Sequence, residues 1–95
     1  MVLNLAAYHF VAIADADALA DRLRERLTAD ALRGTVLVTP EGINLFLAGA
    51  PDVLRGVVAW LRSDARFADL VVKWSESEHL PFKRLRVKRK REIIT

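Results

Sequence analysis

Seven Lys and Arg side chains crowd the last thirteen positions of the chain: Lys83, Arg84, Arg86, Lys88, Arg89, Lys90 and Arg91, opposed only by Glu92. Side chains of this type at this density can neutralise several phosphates, giving an affinity that tolerates any base sequence and weakens with salt. Phe82 beside them could stack on a base, although a single ring is thin support. The competing reading is a solvated linker, or an edge strand that its charge keeps from aggregating. The residues alone leave both open.

The most specific local feature is Pro40-Glu41-Gly42-Ile43-Asn44. It could present Glu41, the Gly42 amide and the Asn44 side chain at a hairpin tip. Equally, Pro fixes φ, Gly supplies an unusual φ and Asn is a routine turn residue, so a plain turn is the preferred reading. With one glycine between two strands it is neither a P-loop nor a dinucleotide fingerprint.

No catalytic constellation is visible. The chain has two histidines and no cysteine. His9 falls inside an apolar stretch and reads as a sheet residue, whereas His79 precedes Pro81 in a polar loop with no evident partner. A zinc site would need several ligands at usable spacings, and none is apparent. We therefore expect no catalytic residue, metal or cofactor. The lack of cysteine removes disulfides and thiolate chemistry and fits a reducing, cytoplasmic setting.

The elements that must carry these residues follow from periodicity. Residues 3–11 (LNLAAYHFV) read as a strand. Asp15 and Asp17 can cap a helix in which Leu19, Leu23 and Leu27 repeat at i, i+4 and i+8, ending near Leu32. Gly34 breaks that pattern. Residues 35–39 (TVLVT) and 43–48 (INLFLA) flank the turn as a hairpin. Pro51 and Asp52 open a second helix carrying Val53, Leu54, Val57, Val58 and Leu61 inward, with Gly56 inside it as a site of close packing on the sheet. Trp60 and Trp74 read as core or half-buried aromatics. Residues 69–75 (DLVVKWS) give a fourth strand. The order βαββαβ predicts an α+β ferredoxin-like sandwich, a four-stranded antiparallel sheet with two helices on one face. The expected organisation is a domain over 1–80 and a basic extended connector over 81–95 that closes on Ile93 and Ile94.

Composition sets the limits. Ninety-five residues support one core, and 53% hydrophobic content is that of a globular protein. No apolar run approaches the roughly 20 residues that span a bilayer, and no signal-peptide pattern opens the chain. The net charge of +3 divides unevenly: residues 1–82 carry −3 and residues 83–95 carry +6. Such a split suits an end that meets something anionic, or one that is simply solvated.

Two blocks, GTVLVTPEGINLFLAG (34–49) and PFKRLRVKRKREIIT (81–95), closely resemble the N-terminal region of the bacterial rhodanese-domain tRNA uridine hydroxylases. The intervening elements fit in order and length, so the resemblance spans nearly the whole chain. Many members have Gly-Thr after the loop asparagine where this chain has Leu45-Phe46. The resemblance implies an acylphosphatase-like domain followed, in a longer parent, by a rhodanese domain bearing the active-site cysteine. It also implies oxygen-dependent hydroxylation of the tRNA wobble uridine to 5-hydroxyuridine. Lacking cysteine, this chain inherits no catalytic residue. The implied role is to hold tRNA or shape the entrance to the active site, with Glu41, Gly42, Asn44 and the basic residues of 83–91 as positions to watch. Two other readings are a small acylphosphatase-type hydrolase and a spacer or dimerisation domain packing through its open sheet face. Acylphosphatases cradle phosphate in a glycine-rich loop with an arginine after the first strand. The corresponding AIADADA here is acidic and has neither residue, which disfavours an anion site there.

Overall fold

Alternation along the first strand sorts its side chains onto two faces. In the computed structural model, which describes residues 1–91, β1 (Val2–Phe10) buries Leu3, Leu5 and Ala7 and turns Tyr8 and Phe10 to solvent. Helix α1 (Ala16–Ala29) then lays Leu19, Leu23 and Leu27 into the core. It ends earlier than Leu32, in a Schellman turn: the Leu32 N–H donates to the Leu27 carbonyl and Ala31 N–H to that of Thr28. Ala31 holds the left-handed position at φ 55° and is exposed. Strands β2 (Arg33–Thr39) and β3 (Gly42–Gly49) form the expected hairpin, and α2 (Pro51–Arg62) buries Leu54, Val57, Val58 and Leu61.

The fourth strand starts later than its apolar run suggests. Asp64 accepts the Arg66 N–H and caps a single 3-10 turn, Ala65–Phe67. Arg62 then clamps the Leu70 carbonyl at 2.8 and 3.2 Å. The chain is still turning at Leu70, so β4 (Lys73–Ser77) begins where Lys73 meets Ala6.

The sheet differs from expectation in one strand. Its order is β4-β1-β3-β2-β5, with β5 (Leu85–Arg89) parallel to β2 and all other pairings antiparallel. The sandwich is therefore a five-stranded mixed sheet, not four antiparallel strands. Residues 78–84 cross the end of the sheet, spanning four strand spacings of about 4.8 Å. Leu85 and Val87 then have apolar ground to settle on beside β2 and α1, which is why the basic segment pairs here. Gly34 N–H donates to the Arg84 carbonyl and Lys90 N–H to that of Val38, fixing the strand at both ends. Ile93 and Ile94 lie outside the described residues.

Both helices pack on the face carrying Leu3, Leu5, Val36, Val38, Leu45 and Leu47. Gly56 is exposed with open space around it, so its expected role in close packing is wrong. The glycine that the fold does require is Gly34. At φ 133°, a Cβ there would stand 1.9 Å from the Phe46 carbonyl oxygen. No described helix is long and apolar enough to cross a membrane.

Candidate functional site

Strand register divides the basic residues by face. Arg86 pairs with Thr35 and Lys88 with Leu37, so both project to the side away from the helices. Lys90 joins them, lining a shallow depression with Lys88, Phe46 and Asn44. Arg89 faces the other way, where its guanidinium meets Asp17 at 2.8 Å. Arg24 reaches the same edge from α1, donating to the Val87 carbonyl at 2.9 Å. Lys83 and Arg84 lie in the crossing segment before β5, and Arg91 just after it, all exposed. Among the described residues, Arg89 alone of the seven pairs with a carboxylate.

The hairpin tip is tied down, and its three noted residues separate. Pro40 and Glu41 form the two-residue loop, with Thr39 opposite Gly42. Thr39, fully buried, accepts the Glu41 N–H at 3.0 Å and donates to the Gly42 carbonyl. The Glu41 and Pro40 carbonyls accept N–H groups of Val11 and Ile13, each at 2.9 Å. Glu41 is exposed, Gly42 is buried, and Asn44 lies within β3 opposite Tyr8. The Asn44 Oδ1 is shielded and has no partner among the described residues.

Arginine near the β1–α1 connection is spent on structure. The Arg66 guanidinium donates to both Asp64 oxygens, at 2.7 and 3.1 Å, and to Asp15. The side-chain hydrogen bond from Arg66, then the one from its backbone N–H, hold the Asp64 carboxyl down at about 2. Asp15 is lowered as well, mainly by the same guanidinium, and the two acids raise Arg66 in turn. A guanidinium held by two carboxylates offers nothing to a substrate phosphate. His9 donates from Nε2 to the Arg66 carbonyl at 2.9 Å and meets the Phe67 ring edge-on, a structural placement at the end of β1. Among the described residues, no three His, Asp or Glu side chains are grouped to hold a metal ion.

Three aromatic rings on the open face escaped sequence reasoning. Tyr8 is 62% exposed, Phe10 57% and Phe46 46%. Tyr8 and Phe10 meet edge to face, with centroids 6.0 Å apart. Phe46, opposite Ala6, closes a depression with Tyr8, Val71 and Lys73. Of the Leu45-Phe46 pair, Leu45 is fully buried and Phe46 faces out. Strand alternation puts Tyr8 and Phe10 on one face of β1. Their meeting with Phe46 depended on β1 lying beside β3.

This fold, two helices on one side of a sheet whose other side is open, defines an acylphosphatase-like α+β domain. The profile of the UPF0176 acylphosphatase-like domain matches residues 2–93, and the chain belongs to that family. It is 57% identical over 93 residues to the tRNA uridine(34) hydroxylase of Bordetella parapertussis, covering 98% of this chain and 39% of that protein. Against the tRNA uridine(34) hydroxylase of Variovorax paradoxus it is 60% identical over 93 residues, covering 98% and 35%. The chain thus corresponds to the N-terminal part of these relatives and spans under two fifths of their length. Among solved structures, Klebsiella pneumoniae BlrP1 with FMN and cyclic diGMP superposes with a TM-score of 0.77 at 21% identity, over 96% of this chain and 26% of that one. The BLUF protein BlrB in its dark state gives 0.76 at 15% identity, over 93% and 72%. At such identities the likeness is one of fold.

Proposed function

We propose that this chain is the N-terminal, tRNA-contacting domain of a tRNA uridine hydroxylase, without turnover of its own. A C-terminal rhodanese domain in the same longer chain carries out the oxygen-dependent hydroxylation of the wobble uridine, in the cytoplasm. The observation that carries this reading is the outward row of Arg86 and Lys88 on edge strand β5 with Lys90 just past its end, none of them paired with a carboxylate among the described residues, in a family whose relatives are named for tRNA. Each cation that meets a phosphate releases condensed counterions, so the contact is strong at low salt and indifferent to base sequence. Such a domain holds and orients the tRNA, leaving chemistry to the cysteine-bearing partner. Glu41 and its anchored loop, at the far end of the hairpin, would shape the entrance rather than react. The saturated Arg66 argues against an acylphosphatase-type hydrolase.

Charge reversal at Arg86, Lys88 and Lys90 in the full-length enzyme tests the reading. Affinity for tRNA should fall, and the slope of log affinity against log salt should flatten by about one for each lost phosphate contact. An unchanged affinity and slope would remove the basic strand from RNA binding.

A further inference from the structure

We infer that the open face of the sheet is a stacking platform for unpaired nucleotides, with Tyr8, Phe10 and Phe46 taking bases and the β5 cations holding phosphates beside them. The inference rests on the RNA-contacting reading above and deepens it. It names unpaired RNA, rather than duplex, as the ligand of this domain.

Three observations combine. First, the rings are exposed together on adjacent strands, although large apolar side chains gathered on a surface are unfavourable without a partner. Flat aromatic faces on a sheet suit bases that have left a stack, and each such contact tolerates any base because every base has a π-face. Second, the charged strand positions on this side are of one sign. Strand positions facing this side carry Arg33, Lys73, Arg86 and Lys88, and among the described residues none of those positions is Asp or Glu. Third, the spacing fits. Phe46 on β3 and the cations on β5 are two strands apart, about 10 Å, and Lys88 and Lys90 lean in far enough to line the depression that Phe46 borders.

Charge complementarity selects the occupant. A second copy docked face to face would set these cations against their own images. A base-paired helix keeps its bases stacked inside and offers nothing for the rings to take.

The test measures fluorescence anisotropy of the 95-residue chain and of the full-length enzyme with a labelled oligouridylate and with a labelled RNA duplex, across a salt series. Tyr8→Leu and Phe46→Leu keep apolar area but remove the flat ring. Both sites are exposed, and circular dichroism melting confirms that each variant folds. The expected result is a loss of about tenfold in oligouridylate affinity for each variant, with the salt slope and duplex affinity unchanged. If the leucine variants bind oligouridylate as the parent does, while charge reversal at Arg86, Lys88 and Lys90 still weakens binding, the platform is overturned and the RNA-contacting reading survives. If neither set alters binding, both fail. If the ring variants leave RNA binding intact but change sedimentation of the chain or the melting of the full-length enzyme, the face is a protein interface and the platform is overturned.

Discussion

Single positions in this domain are set by backbone geometry as much as by side-chain chemistry. Gly34 sits at φ 133° with the Phe46 carbonyl where a Cβ would be. Gly34→Ala should therefore cost at least about 3 kcal/mol, or prevent folding, since β2 cannot withdraw without breaking the hairpin. Urea titration would measure it. Two other positions depart from the residue that their geometry favours. Gly56 has a free helical surface around it, and Gly56→Ala should stabilise by about 1 kcal/mol. Ala31 occupies the left-handed cap, and Ala31→Gly should gain roughly 0.5–1 kcal/mol. For a chain of this size each substitution should raise Tm by a few degrees, about 4–8 °C per kcal/mol in calorimetry. The turn chemistry of residues 40–44 was plain in the sequence. What the loop is tied to was not: its carbonyl partners come from Val11 and Ile13, about thirty residues away in the chain.

Elements hold one another through a few ionic contacts whose pH dependence has a definite sign. Asp64 has a carboxyl near 2 in the folded domain against 3.8 when free, mainly through the Arg66 hydrogen bond. A depressed acid stabilises the fold above its unfolded value, and that contribution is lost as pH falls from about 4 toward 2. Melting temperature should drop through this window, and Asp64→Asn should flatten the drop while lowering the plateau at neutral pH. A flat acid limb in the parent would show that the cluster contributes little. Strand β5 invites a different experiment. A chain ending at Leu80 would leave the apolar edge of β2 unpaired, so it should self-associate on light scattering where the 95-residue chain does not. That experiment also bears on the division of the chain at residue 80, because β5 is hydrogen-bonded into the same sheet.

At the level of the whole molecule, two layers have separated two tasks. The helix side of the sheet is a closed apolar core, and the other side presents rings and cations. The mild net charge of +3 understates how strongly one face is biased. If Arg86, Lys88 and Lys90 each meet one phosphate, binding of single-stranded RNA should weaken with salt at a slope of about −2. A slope near zero would contradict a role for the open face in electrostatic capture.

Helix phases, the hairpin and the βαββαβ order were legible because periodicity and turn residues are local properties of the chain. The family was legible too, from EGIN and the basic run taken together. Local pattern also contained the alternation of Leu85 and Val87 with charge, which suits a strand or a solvated tail equally. Only the tertiary structure decided between them, by offering β2 as an unpaired edge and α1 as an apolar support. The same holds for the rings. The sequence by itself determined only that Tyr8 and Phe10, two apart on one strand, share a face; that this face and the one carrying Phe46 are open is seen in the structure. That the three rings share one surface with Arg86 and Lys88 depends on strand order, which arises from long-range pairing that local pattern does not record.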